Sequence, residues 1–287
     1  MGLGTAPLGG LFEEVSQQTA LDTVDAAWDL GVRFFDTAPL YGSGLAEERL
    51  GQALSGRPRG EYAVSTKVGR ALRPGTASPE FRGAPALEAV FDFSADGVRR
   101  SLAGSLRRLR LDAVDVLLLH DPEEHMEEAR RAVVTMRDLA PRVGVGTNVV
   151  QTAITFVERG DADVVMLAGR YTLLDRSAAE ELLPLCAERG VELLAAGVFN
   201  SGVLAGGTMF DYAAAGPAVL ELRRRLEEAC LLHAVPLAAA AIQFPLRHPA
   251  VSSIVVGARE PEEIAENIRL LDHPVPEELW SELASIR

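Results

Sequence analysis

The sequence predicts an α/β protein built as one (β/α)8 TIM barrel, a single domain spanning residues 1–287. Three observations lead there. Short apolar runs alternate with amphipathic segments along the whole chain. The runs are continuously apolar, as expected of strands buried on both faces in a parallel sheet covered by helices. The length of 287 residues, with no break in composition, suits one barrel, which typically takes about 250 residues. The competing architecture is a doubly wound open sheet. It would place a glycine-rich phosphate loop after an early strand, and no G-x-G-x-x-G motif follows any strand-like run.

In chain order, a short strand opens at residues 2–6 and a helical pattern covers 19–30. Strands follow at 32–37 (VRFFDT) and 62–68 (YAVSTKV). Residues 69–93 are long, proline- and glycine-rich and irregular, and such loops are often functional. Helical spacing over 94–109 leads to a strand at 114–120 (VDVLLLH). A helix at 127–139 precedes strands at 143–148 (VGVGTN) and 164–169 (VVMLAG). A helix at 178–189 leads to a strand at 191–198, then a glycine-rich segment at 199–216, a helix at 218–233 and the eighth strand at 252–257. Both irregular segments follow strand ends, so both emerge from one end of the barrel.

Composition narrows the function. With 48% hydrophobic and 24% charged residues the chain can bury a sizeable core. A net charge of −13 argues against nucleic acid or an anionic membrane surface as partner, because both require basic patches. Cys186 and Cys230, the sole cysteines, suit a reducing compartment and offer neither a disulfide framework nor a thiolate metal site. The opening residues have no basic segment followed by an apolar run, and the most apolar stretch, 236–246, is short and broken by proline. A cytoplasmic protein is expected, a monomer or small homo-oligomer acting on a small molecule.

Of 28 basic residues, 27 are arginine and one is Lys67. An ammonium is a compact charge that can sit beside a titrating group in a way that a guanidinium cannot. In barrels of this type the active site lies at the C-terminal ends of the strands. Reading those ends gives Asp36 on the second strand, Lys67 on the third, His120 on the fourth and Asn148 on the fifth, with Tyr41 five residues beyond Asp36. Each has a plain structural explanation. Asp36 could cap a turn, Tyr41-Gly42 could be a turn, and His120 could be a satisfied core histidine. Their convergence on one mouth argues for chemistry. A tyrosine titrates near pH 10 when free, and a neighbouring ammonium lowers that value. With Asp36 holding Lys67 charged and a neutral His120 orienting the substrate oxygen, Tyr41 could exchange a proton with a carbonyl or hydroxyl. No serine or cysteine stands in a nucleophile–base arrangement. His120, Asp121 and His125 make a poor metal set, with Asp121 or Glu123 better placed to cap a helix, and no metal is expected.

These motifs resemble those of the aldo-keto reductase superfamily. GLGTAPLGG, VRFFDTAPLYGSGLAEERLGQAL, VSTKVG, LDAVDVLLLHDP, VGVGTN, LAGRYTLLD and IVVGAREPEEIAENI stand in the family's order. Within it, the chain is similar to the aldose 1-dehydrogenase group. The resemblance implies a catalytic set of Asp36, Tyr41, Lys67 and His120 and an NAD(P)-dependent oxidation of the C1 hydroxyl of a cyclic aldose, or of an aldehyde as its hemiacetal. It implies that Gly4, Thr5 and Asp36 border the nicotinamide ribose and that Asn148 binds the carboxamide. It also implies that Gly257, Ala258, Arg259, Glu263 and Asn267 frame the adenosine end at a helix N-terminus, a natural anion site. Many members carry a glutamine near the end of strand six and a stacking tyrosine after strand seven. Ala168 and Ala196 stand there here, and Phe199 is the nearest aromatic face. Glu260 and Glu263 lie where NADP-using members offer basic groups, which points to NAD, with Arg259 as the opposing residue. The chain opens at the GLGT strand, so a barrel without the usual N-terminal β-hairpin is expected. Two other readings remain: a Schiff-base aldolase using Lys67, which requires a lysine of lowered pKa, and a cofactor-binding regulatory protein without turnover.

Overall fold

The computed structural model describes residues 1–286. Eight parallel strands close into a barrel: β1 (Gly2–Gly4), β2 (Phe34–Asp36), β3 (Ala63–Val68), β4 (Val116–His120), β5 (Arg142–Thr147), β6 (Val164–Ala168), β7 (Glu192–Ala196) and β8 (Val251–Gly257). Neighbours in sequence are neighbours in space, and β1 shuts the ring by pairing with both β8 (Gly4↔Gly257) and β2 (Gly4↔Asp36). Helices α1 (Gln17–Asp29), α2 (Leu45–Ala53), α3 (Ala95–Leu109), α4 (Met126–Arg137), α5 (Val150–Glu158), α6 (Leu182–Arg189), α7 (Pro217–Leu232), α8 (Leu237–Gln243), α9 (Pro261–Leu271) and α10 (Glu277–Ser285) complete the fold.

The strand pleat sends alternate residues to opposite faces, and this creates two cores. Leu3, Phe35, Val64, Leu117, Val145, Leu167, Leu193 and Val256 face the helices in the larger one. Val116, Leu118, Val164, Met166, Leu194 and Val255 fill the lumen, with Phe34 packed against them. A barrel of this kind is therefore solid below its mouth. Close backbone approach sets one requirement. A Cβ at Gly144 would collide with the Val164 carbonyl, so β5 and β6 need glycine there. Helix starts follow ordinary capping. Ser16 accepts from the Thr19 N–H at 3.1 Å, and Ser94 accepts from the Gly97 N–H at 3.0 Å.

The two irregular segments are more ordered than the sequence reading implied. In the first, Arg70–Pro74 pairs antiparallel with Leu87–Phe91. Its tip folds over the β1–α1 loop, where the Arg82 N–H donates to the Gly10 carbonyl at 2.8 Å and the Phe12 N–H to Glu80 at 2.7 Å. In the second, Met209–Phe210 pairs with Ala213–Ala214 around a two-residue turn, Asp211 and Tyr212, both at positive φ. Its Tyr212 ring lies 6.2 Å from Phe12. The helix-cap expectation for Asp121 and Glu123 is not met. The N-cap of α4 is His125, with no side-chain capping bond, and Glu123 instead accepts from the Thr147 hydroxyl.

Candidate active site

At the C-terminal mouth, strand ends deliver a connected polar set. Asp36 closes β2, Lys67 sits one residue before the end of β3, and His120 closes β4. The Lys67 ammonium donates to Asp36 Oδ2 at 2.8 Å and Oδ1 at 3.0 Å, to the Thr37 carbonyl at 3.1 Å and to the Tyr41 hydroxyl at 2.9 Å. The Ser65 hydroxyl adds a bond to Asp36 Oδ1 at 2.7 Å. Asp36 thus anchors the lysine and caps nothing. Lys67 and Asp36 are each 2% exposed, so the pair works with little solvent screening.

Tyr41 is placed by backbone contact. The loop carrying it runs against the β1–α1 loop so closely that a Cβ at Gly9 would lie 2.7 Å from the Tyr41 carbonyl carbon. A Cβ at Gly42, itself at φ +60°, would strike the Gly9 carbonyl oxygen. The GLGTAPLGG and LYGSG motifs are therefore two halves of one joint. The Tyr41 ring meets His120 edge-on, centroids 5.7 Å apart, and Phe81 from the long loop at 6.1 Å.

The electrostatics differ from expectation at one group. Burial raises the Tyr41 hydroxyl above the ordinary tyrosine range. Lys67 pulls it down and Asp36 pushes it back up, so the phenol is held protonated. The ammonium alone suggested the opposite direction. Enclosure beneath Phe81 and against His120 outweighs it. Burial also opposes the Lys67 charge, but Asp36 and Tyr41 prevail and raise its pKa above that of an ordinary lysine. That removes the basis of the Schiff-base reading, which needs a lowered lysine pKa. His120 is pushed well below the ordinary histidine range by burial, then by Lys67 and Arg70, so it is neutral as expected.

The residues assigned to the cofactor gather in two places. Gly4 lies between Asp36 and Gly257, and Thr5, fully buried, donates both its N–H (2.9 Å) and its hydroxyl (3.0 Å) to the Asp36 carbonyl. Gly257, Ala258, Arg259, Glu263 and Asn267 cluster where β8 passes into α9, with Asn267 Nδ2 3.5 Å from the Gly257 carbonyl. Asn148 stands apart, half-buried just past the end of β5, its carbonyl accepting from Arg170 Nε at 2.8 Å. Arg259 is wrapped in carboxylates. It donates to Glu13 Oε2 at 2.6 Å and to Glu263 Oε1 at 2.6 Å, while its N–H meets Glu263 Oε2 at 2.7 Å.

The residues present fit a nicotinamide ring. Gly146, Ala168, Ala196 and Gly257, at or next to the C-terminal ends of their strands, carry no bulk, and even a Cβ at Gly146 would come within 3.3 Å of Lys67 Cε. Buried polar atoms around the mouth, among them His120 Nδ1, Asn200 Oδ1, Thr37 Oγ1 and Arg70 Nε, have no hydrogen-bond partner among the described residues. Sequence reasoning did not find Arg70, Arg170, Tyr212 or Glu13, and read Asp121 only as a poor metal ligand or a helix cap. Arg70 donates to Asp121 Oδ2 at 2.9 Å beside His120, and Arg170 donates to Asp211 at 2.7 Å under the second hairpin. The Asp directly after His120 was a visible signal. The others depend on loop paths.

Fold and site together define a barrel oxidoreductase. A family model described as the aldo/keto reductase family matches residues 1–287, and the chain belongs to that family. As a member it works with a nicotinamide cofactor. It is 40% identical to a D-threo-aldose 1-dehydrogenase of a Pseudomonas species, over 100% of this chain and 93% of that one. It is 41% identical to a pyridoxal 4-dehydrogenase of Microbacterium luteolum, over 99% of this chain and 93% of that one. Among solved structures, the holo form of an aldo-keto reductase from Bacillus halodurans superposes with a TM-score of 0.82, covering 100% of this chain and 91% of that one at 24% identity, a likeness of fold.

Proposed function

We propose that the protein oxidises the C1 hydroxyl of a cyclic aldose, with NAD as the preferred cofactor and Tyr41 as the acid/base. The observation that carries this reading is the single hydrogen-bonded set joining Asp36, Lys67 and the Tyr41 hydroxyl beside a neutral His120. The names of the two 40%-level relatives support an aldose or an aldehyde as substrate. When bound, the nicotinamide supplies the hydride acceptor. The chain's own residues handle the proton. His120 orients the substrate oxygen by hydrogen bonding. For oxidation the Tyr41 phenol first loses its proton to solvent, Lys67 stabilising the tyrosinate through its 2.9 Å bond, and the sugar hydroxyl then passes its proton to that oxygen. Asp36 holds the ammonium in place.

The NAD preference rests on Arg259. A 2′-phosphate needs a free cation, and here one guanidinium is shared by Glu13 and Glu263, with Glu260 adjacent. A carboxylate suits a ribose diol and repels a phosphate. The test is absorbance of the reduced nicotinamide with NAD, then NADP, against L-fucose, D-arabinose, L-galactose and pyridoxal. Turnover with NAD on a sugar is expected. Tyr41→Phe should lower it by about 10²–10⁴-fold while cofactor affinity stays within about threefold. Near-normal turnover by Tyr41→Phe would overturn the tyrosine mechanism.

A further inference from the structure

Beside His120 lies a charged pair to which the mechanism gives no task. Asp121 follows His120 directly and stands at φ +44°, a left-handed conformation uncommon for a residue with a side chain. Its N–H is fixed to the Gly146 carbonyl at 2.9 Å. The carboxylate lies back toward the mouth, with Oδ2 3.7 Å from His120 Nε2. Arg70 donates to the same oxygen at 2.9 Å, and its guanidinium stacks 4.7 Å over Phe91. The Arg70 Nε is buried without a hydrogen-bond partner among the described residues. Oδ1 of Asp121 has no donor among the described residues, and the side chain is 34% exposed. Next to it Gly146, and further round the mouth Ala168 and Ala196, present no polar side chain.

We propose that Asp121, held by Arg70, accepts a hydrogen bond from the hydroxyl next to the reacting carbon, so that the site selects a 2-hydroxy aldose over a plain or 2-oxo aldehyde. This rests on the oxidoreductase reading above. An oxygen held between Tyr41 and His120 Nε2 brings the neighbouring carbon's substituent beside Asp121, because vicinal oxygens stand about one hydrogen-bond length apart. A carboxylate is acceptor-only, so it welcomes an O–H and is left unpaired by a hydrogen or a carbonyl at that position. Burial, partly offset by Arg70, raises the Asp121 pKa, so a donor from the substrate favours the carboxylate form. The bland alternative is a strut, in which Arg70 and Asp121 merely tie the first hairpin to the barrel.

The experiment compares wild type with Asp121→Asn, each shown to melt cooperatively, on D-arabinose and on 2-deoxy-D-ribose, its 2-deoxy counterpart. Dead-end binding is measured in parallel by calorimetry on the NAD-loaded protein, using 1,5-anhydro-D-arabinitol and its 2-deoxy form, which lack the C1 hydroxyl. Wild type should favour the 2-hydroxy sugar by about 10- to 100-fold in kcat/KM, and Asp121→Asn should shrink that ratio at least about fivefold. Anhydro-polyol binding should show the same dependence. A wild-type ratio near one refutes the proposal even if the variant fails to fold. Equal losses on both sugars also refute it, in favour of the strut. Selective binding without turnover supports the proposal and sinks the reaction, while turnover without selectivity does the reverse.

Discussion

Replacing Lys67 by methionine separates two roles of one residue, anchor and proton tuner. Methionine keeps most of the stem and has no donor. The substitution removes the bonds to Asp36 at 2.8 and 3.0 Å, to Thr37 at 3.1 Å and to Tyr41 at 2.9 Å. Asp36, 2% exposed, is left with the Ser65 hydroxyl as its side-chain donor. Breaking a buried ion pair from one side costs about 3–5 kcal/mol. At about 2.1 cal/mol/K of unfolding entropy per residue, that loss lowers Tm by about 5–8 °C for a chain of this length. Adding Asp36→Asn removes the stranded charge and should bring Tm back to within about 3 °C of wild type, since neutral replacements of buried pairs are often tolerated. Turnover should not return. Both variants should lose on the order of 10²–10⁴-fold. Thermal circular dichroism and steady-state kinetics on the three proteins decide it. If Lys67→Met melts within about 1 °C of wild type, or if the double variant is less stable than the single one, the pair does not hold the site as argued.

Two further expectations concern protons and phosphate. Because Tyr41 is held protonated, the proton-accepting form grows as pH rises, so sugar oxidation in single turnover should climb steadily between about pH 7 and 9, whereas carbonyl reduction, which needs the proton in place, should stay flat; an oxidation plateau already reached at neutrality refutes the direction of the shift. Freeing Arg259 with the pair Glu13→Gln and Glu263→Gln should move the NADP-to-NAD ratio of kcat/KM toward NADP by about tenfold or more, and an unchanged ratio would mean that Arg259 does not face the ribose.

The barrel and its reactive set were legible for a physical reason. In a strand buried on both faces the apolar run continues until the chain reaches the mouth, so the polar residues near its C-terminal end mark the site. Asp36, Lys67 and His120 were found that way. Other features have no such marker. RALRP and LEAVF pair as a ribbon although each is short and one ends in proline. The Asp211-Tyr212 turn adopts two positive φ values without the glycine that usually advertises them. The direction in which Asp121 points depends on its own left-handed φ. The Tyr41 shift depends on how tightly Phe81 and its loop close over the ring, and long-range packing of that kind leaves no local pattern.

A single lysine, 2% exposed, also sets how the molecule meets reagents. Its outer surface carries arginine where most proteins mix in primary amines. Acylating labels, amine cross-linkers and lysine-directed modifying enzymes therefore find no ε-amine outside the barrel mouth. Any such label that attaches to a lysine has entered the mouth and reached Lys67, so its rate reads opening of that mouth together with loss of the Lys67 proton.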